Sequence, residues 1–347
     1  MSTDNGKIDL MNLAAYLQQI RQNSDIVFSE NLCAFQLGSG LSNHNYLLQD
    51  GVNKWVLRVN QNASDGFVRR KDELASWQIA GNAGLAPQLR FVSSTMDCFL
   101  SDYVETQSDW SQLAHDVDGA AVDNQSICLR QRAPQLLAQL LLAMQDLPLP
   151  QNHISLSRQW QHYLTQLHHI AVKLETMASS GPPNTNQLAI SIEQWQTQWQ
   201  RLQRLHHDTQ LKIDSCDAVS LRNQYSHRDL TPYNLLLSDE HLLCIDFEYA
   251  CQSHPLFDLA VVLQTHGISS SQQAQLKALY FSKQQNLKLG AEQALPAMGA
   301  LYWTYSAAWA LLMAGQSLLN GDESKLLPHL AKDYLSWFEN YYTQAAK

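Results

Sequence analysis

Three oxygen-tipped side chains stand at a spacing suited to chemistry on phosphate groups. Asp229 closes the triplet His227-Arg228-Asp229, Asn234 follows five residues later, and Asp246 lies twelve residues beyond Asn234. Phosphoryl transfer from a nucleotide needs one carboxylate to orient the attacking hydroxyl and accept its proton. It also needs an amide oxygen and a second carboxylate to hold Mg²⁺ on the phosphates. His, Asp and Asn gather in turns for backbone reasons alone, so the residue types carry little by themselves. The spacing and the apolar frame carry the reading.

That frame consists of Leu235-Leu236-Leu237 after the asparagine and Leu242-Leu243-Cys244-Ile245 before the aspartate, joined through Ser238-Asp239-Glu240. A strand, a turn and a second strand would deliver Asp246 beside Asn234. Upstream, residues 9–21 read as an amphipathic helix. Ala34-Phe35-Gln36-Leu37 then runs into Gly38-Ser39-Gly40-Leu41-Ser42-Asn43 and the strand-like Asn45-Tyr46-Leu47-Leu48. A small turn of this kind between strands can fold backbone amides over phosphates, which makes Ser42 and Asn43 candidates for nucleotide contact. After the turn signal Asp50-Gly51, the stretch Lys54–Val59 alternates as a strand, with Val56 and Arg58 on one face. A charged helix from Asp65 to Ala80 follows. Leu85–Leu89 and Cys98–Val104 read as two further strands, and the backbone around Asp102 to Glu105, with Tyr103, would meet an adenine. The predicted division is residues 1–104, a nucleotide-binding lobe, and residues 105–347, a helical lobe with a helical insertion at about 153–212.

Within the second part, a Leu-dense helix is expected over 129–147, and Asp258 is expected to cap or anchor a helix starting at Leu259. The histidines of the insertion (162, 168, 169, 206 and 207) lack carboxylate or cysteine companions at ligand spacing, so they read as polar helix faces and not as a metal site. The stretch Ala294–Gly321 carries no charged side chain. Its Pro, Gly, Ser and Thr content and acidic flanks fit a buried helix better than a membrane span. On that helix Tyr302, Tyr305 and Trp309 share a face. Besides core packing, they offer an aromatic wall for a cationic acceptor, with Glu248 supplying negative charge.

A formal net charge of −9 and the lack of any Lys/Arg run argue against a nucleic-acid partner. Six scattered cysteines without ligand spacing read as free thiols of a reducing compartment. The N-terminus lacks the basic and apolar regions of a signal peptide, so the expected location is the cytoplasm. The residues leave the oligomeric state open.

His227-Arg228-Asp229, Asn234 and Asp246-Phe247 resemble the catalytic and metal loops of the protein-kinase-like superfamily. Leu41-Ser42-Asn43, Val56-Leu57-Arg58, Leu85-Ala86-Pro87, Asp246-Phe247-Glu248-Tyr249-Ala250 and Asp258-Leu259-Ala260 narrow the resemblance. Together they point to the aminoglycoside phosphotransferase and choline/ethanolamine kinase superfamily, thiamine kinases included. The resemblance implies an α+β, bilobal protein-kinase-like fold with a small β-rich lobe and a large helical one. It implies Asp229 as catalytic base, Asn234 and Asp246 as magnesium ligands, and Glu73 paired with Arg58 beside the phosphates of ATP. Arg58 stands where kinases carry lysine, and Asp-Phe-Gly becomes Asp246-Phe247-Glu248 with no long activation segment. The acceptor is therefore expected to be a small alcohol of choline or ethanolamine type, with thiamine or an aminoglycoside as the alternatives. A catalytically silent nucleotide-binding homologue is the reading from another class.

Overall fold

The computed structural model describes residues 8–37, 43–60, 69–106, 108–115, 124–179, 186–321 and 333–347. A 3-10 turn (Leu10–Leu13) leads into α1 (Ala14–Asn23), followed by β1 (Cys33–Gln36), β2 (Asn43–Asp50) and β3 (Asn53–Asn60). Next come α2 (Arg70–Asn82), β4 (Leu89–Val92), β5 (Cys98–Asp102), α3 (Trp110–His115) and α4 (Asn124–Gln145). Helices α5 (Leu156–Ser179), α6 (Asn186–Arg204) and α7 (His206–Asp217) precede β6 (Gln224–Ser226), a 3-10 turn (Pro232–Asn234), β7 (Leu235–Ser238) and β8 (His241–Cys244). The chain closes with β9 (Cys251–Ser253), α8 (Leu256–Thr265), α9 (Ser270–Phe281), α10 (Leu295–Leu319) and α11 (Tyr334–Ala345). The fold is α+β, as expected.

Two compact units are present. The first comprises residues 1–151, 229–250 and 265–282. Its sheet is antiparallel in the order β1-β2-β3-β5-β4. Leu48, Leu57 and Leu100 are fully buried in it, and Leu13, Leu17 and Ile20 from the N-terminal helices join the same core. The alternation of Lys54–Val59 produces this arrangement, because a strand with one face buried pins its own register. The predicted strand at 85–89 begins only at Leu89. Pro87 has no N–H to give a ladder, and the carbonyls before β4 are used elsewhere. That of Leu85 takes the Cys244 amide, at 2.8 Å, and that of Pro87 takes the Trp77 indole, also at 2.8 Å.

The division drawn from the sequence put residues 229–250 with the helical part. In the structure the β7–β8 hairpin packs against α3 and α4 and belongs to the unit that holds the sheet. Residues 105–151 belong there too, so residue 104 does not mark the edge of that unit.

The second unit comprises residues 152–228, 251–264 and 283–347. The insertion expected at about 153–212 is three helices, α5 to α7. Among its histidines, His168 and His169 are exposed, and His206 Nδ1 accepts the Trp160 indole at 3.0 Å. The charge-free stretch is α10, which packs on α5, α6, α7 and α11 and so is covered on most of its circumference. Among the described residues, no helix is long and apolar enough to cross a membrane.

Close packing around α10 needs Gly315. A Cβ there would lie 2.6 Å from Ile170 Cγ2 and 2.9 Å from the Trp195 indole nitrogen, which itself donates to Leu311 O at 2.8 Å. Gly315→Ala would gain about 1 kcal/mol of helix propensity, but overpacking of this kind costs about 1–3 kcal/mol. We therefore expect a net loss of stability, read as a lower urea midpoint at an unchanged slope. A midpoint equal to or above that of the parent would show that Ile170 and Trp195 yield without cost.

Candidate active site

The hairpin positions the two proposed metal-holding side chains. Strands β7 and β8 pair from Leu235↔Cys244 to Ser238↔His241, leaving Asp239 and Glu240 as a two-residue turn. Both turn residues have positive φ, 47° and 63°, as a primed hairpin turn demands. At the open end the Ile245 amide donates to Asn234 O at 3.0 Å, which holds the residue before Asp246 against Asn234.

Asn234 reaches back to the proposed base. Its side-chain nitrogen donates to Asp229 Oδ2 at 2.7 Å and to the Asp229 carbonyl at 2.9 Å. One carboxylate oxygen of Asp229 is thereby fixed, and the amide oxygen of Asn234 remains as an acceptor. Arg228 and Asp246 both adopt positive φ, 68° and 65°. Such backbone costs about 1–3 kcal/mol and persists only where the surroundings enforce it.

Part of that enforcement lies in the second unit. The Asp258 carboxylate accepts the amides of His227, at 2.9 Å, and Arg228, at 2.8 Å, the two residues preceding Asp229. Burial holds its carboxyl above the ordinary range, against those hydrogen bonds and the Arg228 charge. The Arg228 guanidinium lies 3.7 Å over the Phe257 ring, bonded to Ser253 Oγ at 2.5 Å and to Gln159 Oε1. Asp258 was expected to cap or anchor a helix starting at Leu259. Helix α8 starts three residues earlier, at Leu256, so Asp258 sits inside its first turn and is free to hold the catalytic loop.

In the first unit Arg58 is the hub. Its guanidinium meets Glu73 Oε1 at 2.5 Å, Glu248 Oε1 at 3.2 Å and Asp246 Oδ1 at 3.6 Å, while Nε donates to Asn60 at 2.9 Å. The expected Arg58–Glu73 pair is thus present, and both residues are buried. Asn43 joins them by donating to Glu248 Oε1 at 2.7 Å. Phe247 stacks on Trp77, with ring centroids 5.8 Å apart, and the Ala250 carbonyl takes the Ser76 hydroxyl at 3.2 Å, so α2 holds the chain on either side of Glu248.

Burial raises the Asp246 carboxyl above its ordinary range, with Glu248, Glu73 and Asp229 adding to the effect and Arg58 opposing it. Its Oδ1 is buried and has no hydrogen-bond partner among the described residues. An under-compensated carboxylate near a spare amide oxygen fits a hard divalent cation. Asn234 and Asp246 are the residues that would hold Mg²⁺, which when bound neutralises charge on the phosphates.

The remaining candidates fall elsewhere. Glu248, expected to face a cationic acceptor, is instead paired with arginines, because its position two residues past Asp246 turns it toward β3 and α2. Tyr103 follows β5; Lys54 Nζ lies 5.4 Å from its ring centroid and 2.5 Å from Glu105. Ser42 lies outside the described residues. Tyr305 is a core residue, 3% exposed, donating to Leu156 O at 2.9 Å among Trp160, Tyr163 and Phe257. Trp309 stacks on Trp337 and meets Tyr334 edge-on, so it shares no ring neighbour with Tyr305. Arg70 and Asn60 were not singled out, since a charged helix start and a polar strand end read as solvated surface.

The phosphotransferase enzyme family model matches residues 35–292, and the chain belongs to that family. Its fold is protein-kinase-like. Among curated proteins it is similar to Protein LicA of Haemophilus influenzae, 24% identical over 230 residues that cover 66% of this chain and 57% of that protein. The match thus spans little more than half the length of that relative. Among solved structures, choline kinase LicA from Streptococcus pneumoniae has a TM-score of 0.62 at 14% identity, covering 97% of this chain and 99% of that one. A choline/ethanolamine kinase family protein from Mesorhizobium loti has a TM-score of 0.59 at 16% identity, covering 97% and 94%.

A pH prediction arises just past β9, at His254. The His254 ring donates through Nε2 to Cys216 O at 2.9 Å and accepts the Leu256 amide on Nδ1 at 3.1 Å, which requires the neutral ring. Burial pushes its pKa down to about 4; the Cys216 bond opposes this and the Arg228 charge assists. In the unfolded chain the ring titrates near 6.5. Its contribution is therefore complete above about pH 6.5 and is lost progressively as pH falls toward about 4, by about 3 kcal/mol in all. Denaturant melts across this window should show a shallower decline for His254→Asn than for the parent. Equal slopes would remove His254 as a source of acid sensitivity.

Proposed function

We propose that this phosphotransferase moves the terminal phosphoryl group of ATP to the hydroxyl of a small, positively charged alcohol of choline or ethanolamine type, with magnesium as the metal. The observation that carries the reaction is Asp229 pinned by Asn234 through one carboxylate oxygen, with Asp246 brought to the same hairpin end. Asp229 would then orient an acceptor hydroxyl and take its proton as the bond to phosphorus forms. Proton transfer of this kind contributes about 10²–10⁴ in rate. Arg58, held by Glu73, is the cation that would face the phosphates, as a planar fork in place of an ammonium. The acceptor class is supported by the net charge of −9 and by the kinases the chain resembles. The reading also puts the protein in the cytoplasm, where ATP is supplied and where its six free cysteines remain reduced.

The test of the acceptor is a panel of choline, ethanolamine, thiamine, aminoglycosides and uncharged 3,3-dimethylbutan-1-ol, with ATP consumption followed and the phosphorylated product identified by mass. Choline or ethanolamine should be turned over well and the neutral isostere poorly. Equal efficiency with the isostere would sink the cationic acceptor, and turnover of thiamine or an aminoglycoside alone would move the assignment to that class. Asp229→Asn is expected to keep the fold and nucleotide affinity while turnover falls about 10²–10⁴-fold; unaltered turnover would remove Asp229 from the mechanism.

A third prediction concerns the metal. Asp246→Ala should weaken the apparent Mg²⁺ affinity at fixed ATP more than Asn234→Ala does, since it withdraws formal charge as well as an oxygen. Indistinguishable Mg²⁺ titrations for Asp246→Ala and the parent would contradict the assignment.

A further inference from the structure

We infer that Arg70 is a positioning residue that keeps the metal-side carboxylates from taking a divalent cation before nucleotide arrives. The inference rests on the reading of Asp246 as the metal-holding carboxylate. Glu73, Asp246 and Glu248 each bring one carboxylate oxygen within 4.8 Å of the others. Hard divalent cations take oxygen clusters of this kind when nothing else neutralises them.

Here two guanidinium groups do so. Arg58 is fixed by β3 and by its bond to Asn60. Arg70 enters from the first turn of α2 and, among the described residues, meets Glu73 Oε2 at 2.7 Å, Glu248 Oε1 at 3.0 Å and Asn43 Oδ1 at 3.2 Å. Glu248 Oε1 consequently receives three N–H donors, from Arg70, Arg58 and Asn43, which leaves it little capacity for a metal. The balance of charge is set by the same contacts. Three carboxylates against two guanidiniums leave one negative charge, and without Arg70 they leave two.

The place of Arg70 on its helix supports a dedicated role. A cation in the first turn of a helix opposes the helix dipole, so apart from its i,i+3 pair with Glu73 helix stability gives no reason for an arginine there. The side chain is 15% exposed, and its contacts run to three different segments: the start of β2, the next turn of α2 and the chain beyond Asp246. Arg70 thus fixes Glu248 onto Asn43 and aims Glu73 at Arg58. The cluster then awaits the phosphates before it binds a cation through Asp246.

The experiment titrates Mn²⁺ into the nucleotide-free full-length chain, read by the electron paramagnetic resonance of the free ion. The parent should bind Mn²⁺ weakly, and Arg70→Met and Arg70→Gln should each bind it at least tenfold more tightly. Two such variants keep the comparison from depending on one of them folding, which circular dichroism checks. Arg70→Lys, which keeps the charge, should stay within a few-fold of the parent. In the Arg70→Met background, adding Glu248→Gln should return the affinity toward that of the parent. Mn²⁺ binding by Arg70→Met and Arg70→Gln no tighter than by the parent would overturn the inference, as would tight binding that survives Glu248→Gln. Adding Asp246→Ala to Arg70→Met separates the two readings. If the gain persists without Asp246, the metal assignment fails, whereas the absence of any gain in the single variants means that the role of Arg70 fails.

Discussion

Everything at the site depends on charge that has been taken out of water. Arg58 is 5% exposed and Glu73 is 1% exposed, so each charge needs a partner close by, and each meets the other at 2.5 Å. Removing one partner of such a pair typically costs about 3–5 kcal/mol, because the survivor is left uncompensated. The pair does more than offset its own burial. Because Arg58 also faces Asp246 and Glu248, the orientation of a strand side chain is tied to that of the segment past the hairpin. A shift of α2 would move Glu73 and, through Arg58, would disturb the carboxylate assigned to the metal.

The hairpin illustrates how local chemistry and site geometry are joined. Leucines on both strands bury one side, a two-residue turn closes the far end, and the near end brings Asn234 and Ile245 together. Asn234 then spends its nitrogen on Asp229. Base and metal ligand are consequently not independent parts, since the residue that offers oxygen to a cation also fixes the carboxylate that would receive the proton. Left-handed backbone at Arg228 and Asp246 is the local cost of presenting these side chains, and Asp258 holds the first of the two in place.

Much of this was legible in the sequence because it depends on short-range spacing. The β7–β8 hairpin, the β2–β3 pair and the Arg58–Glu73 pairing all appear where apolar alternation and residue type place them. What could not be read depends on distant partners. Glu248 lies 178 residues from Arg70 and 205 from Asn43, and no local pattern announces that its charge is already committed. Tyr305 and Trp309 sit four residues apart on one helix, which periodicity reports correctly. It cannot report that the first packs against α5 and the second against α11. Pro87 misled in another way: an apolar run resembled a strand although its backbone serves the Trp77 indole.

The two-residue turn at Asp239 and Glu240 has a consequence for how this chain can vary. Lengthening the hairpin by one residue on each strand would slide the turn outward and leave Asn234 opposite the same neighbour. Adding a single residue with the two-residue turn kept would slip the pairing by one and turn Asp246 to the opposite face. The interval between the two ligands is thus governed by parity. It tolerates change in twos, whatever side chains fill it, and an odd change spares the site only where the turn itself takes up the extra residue.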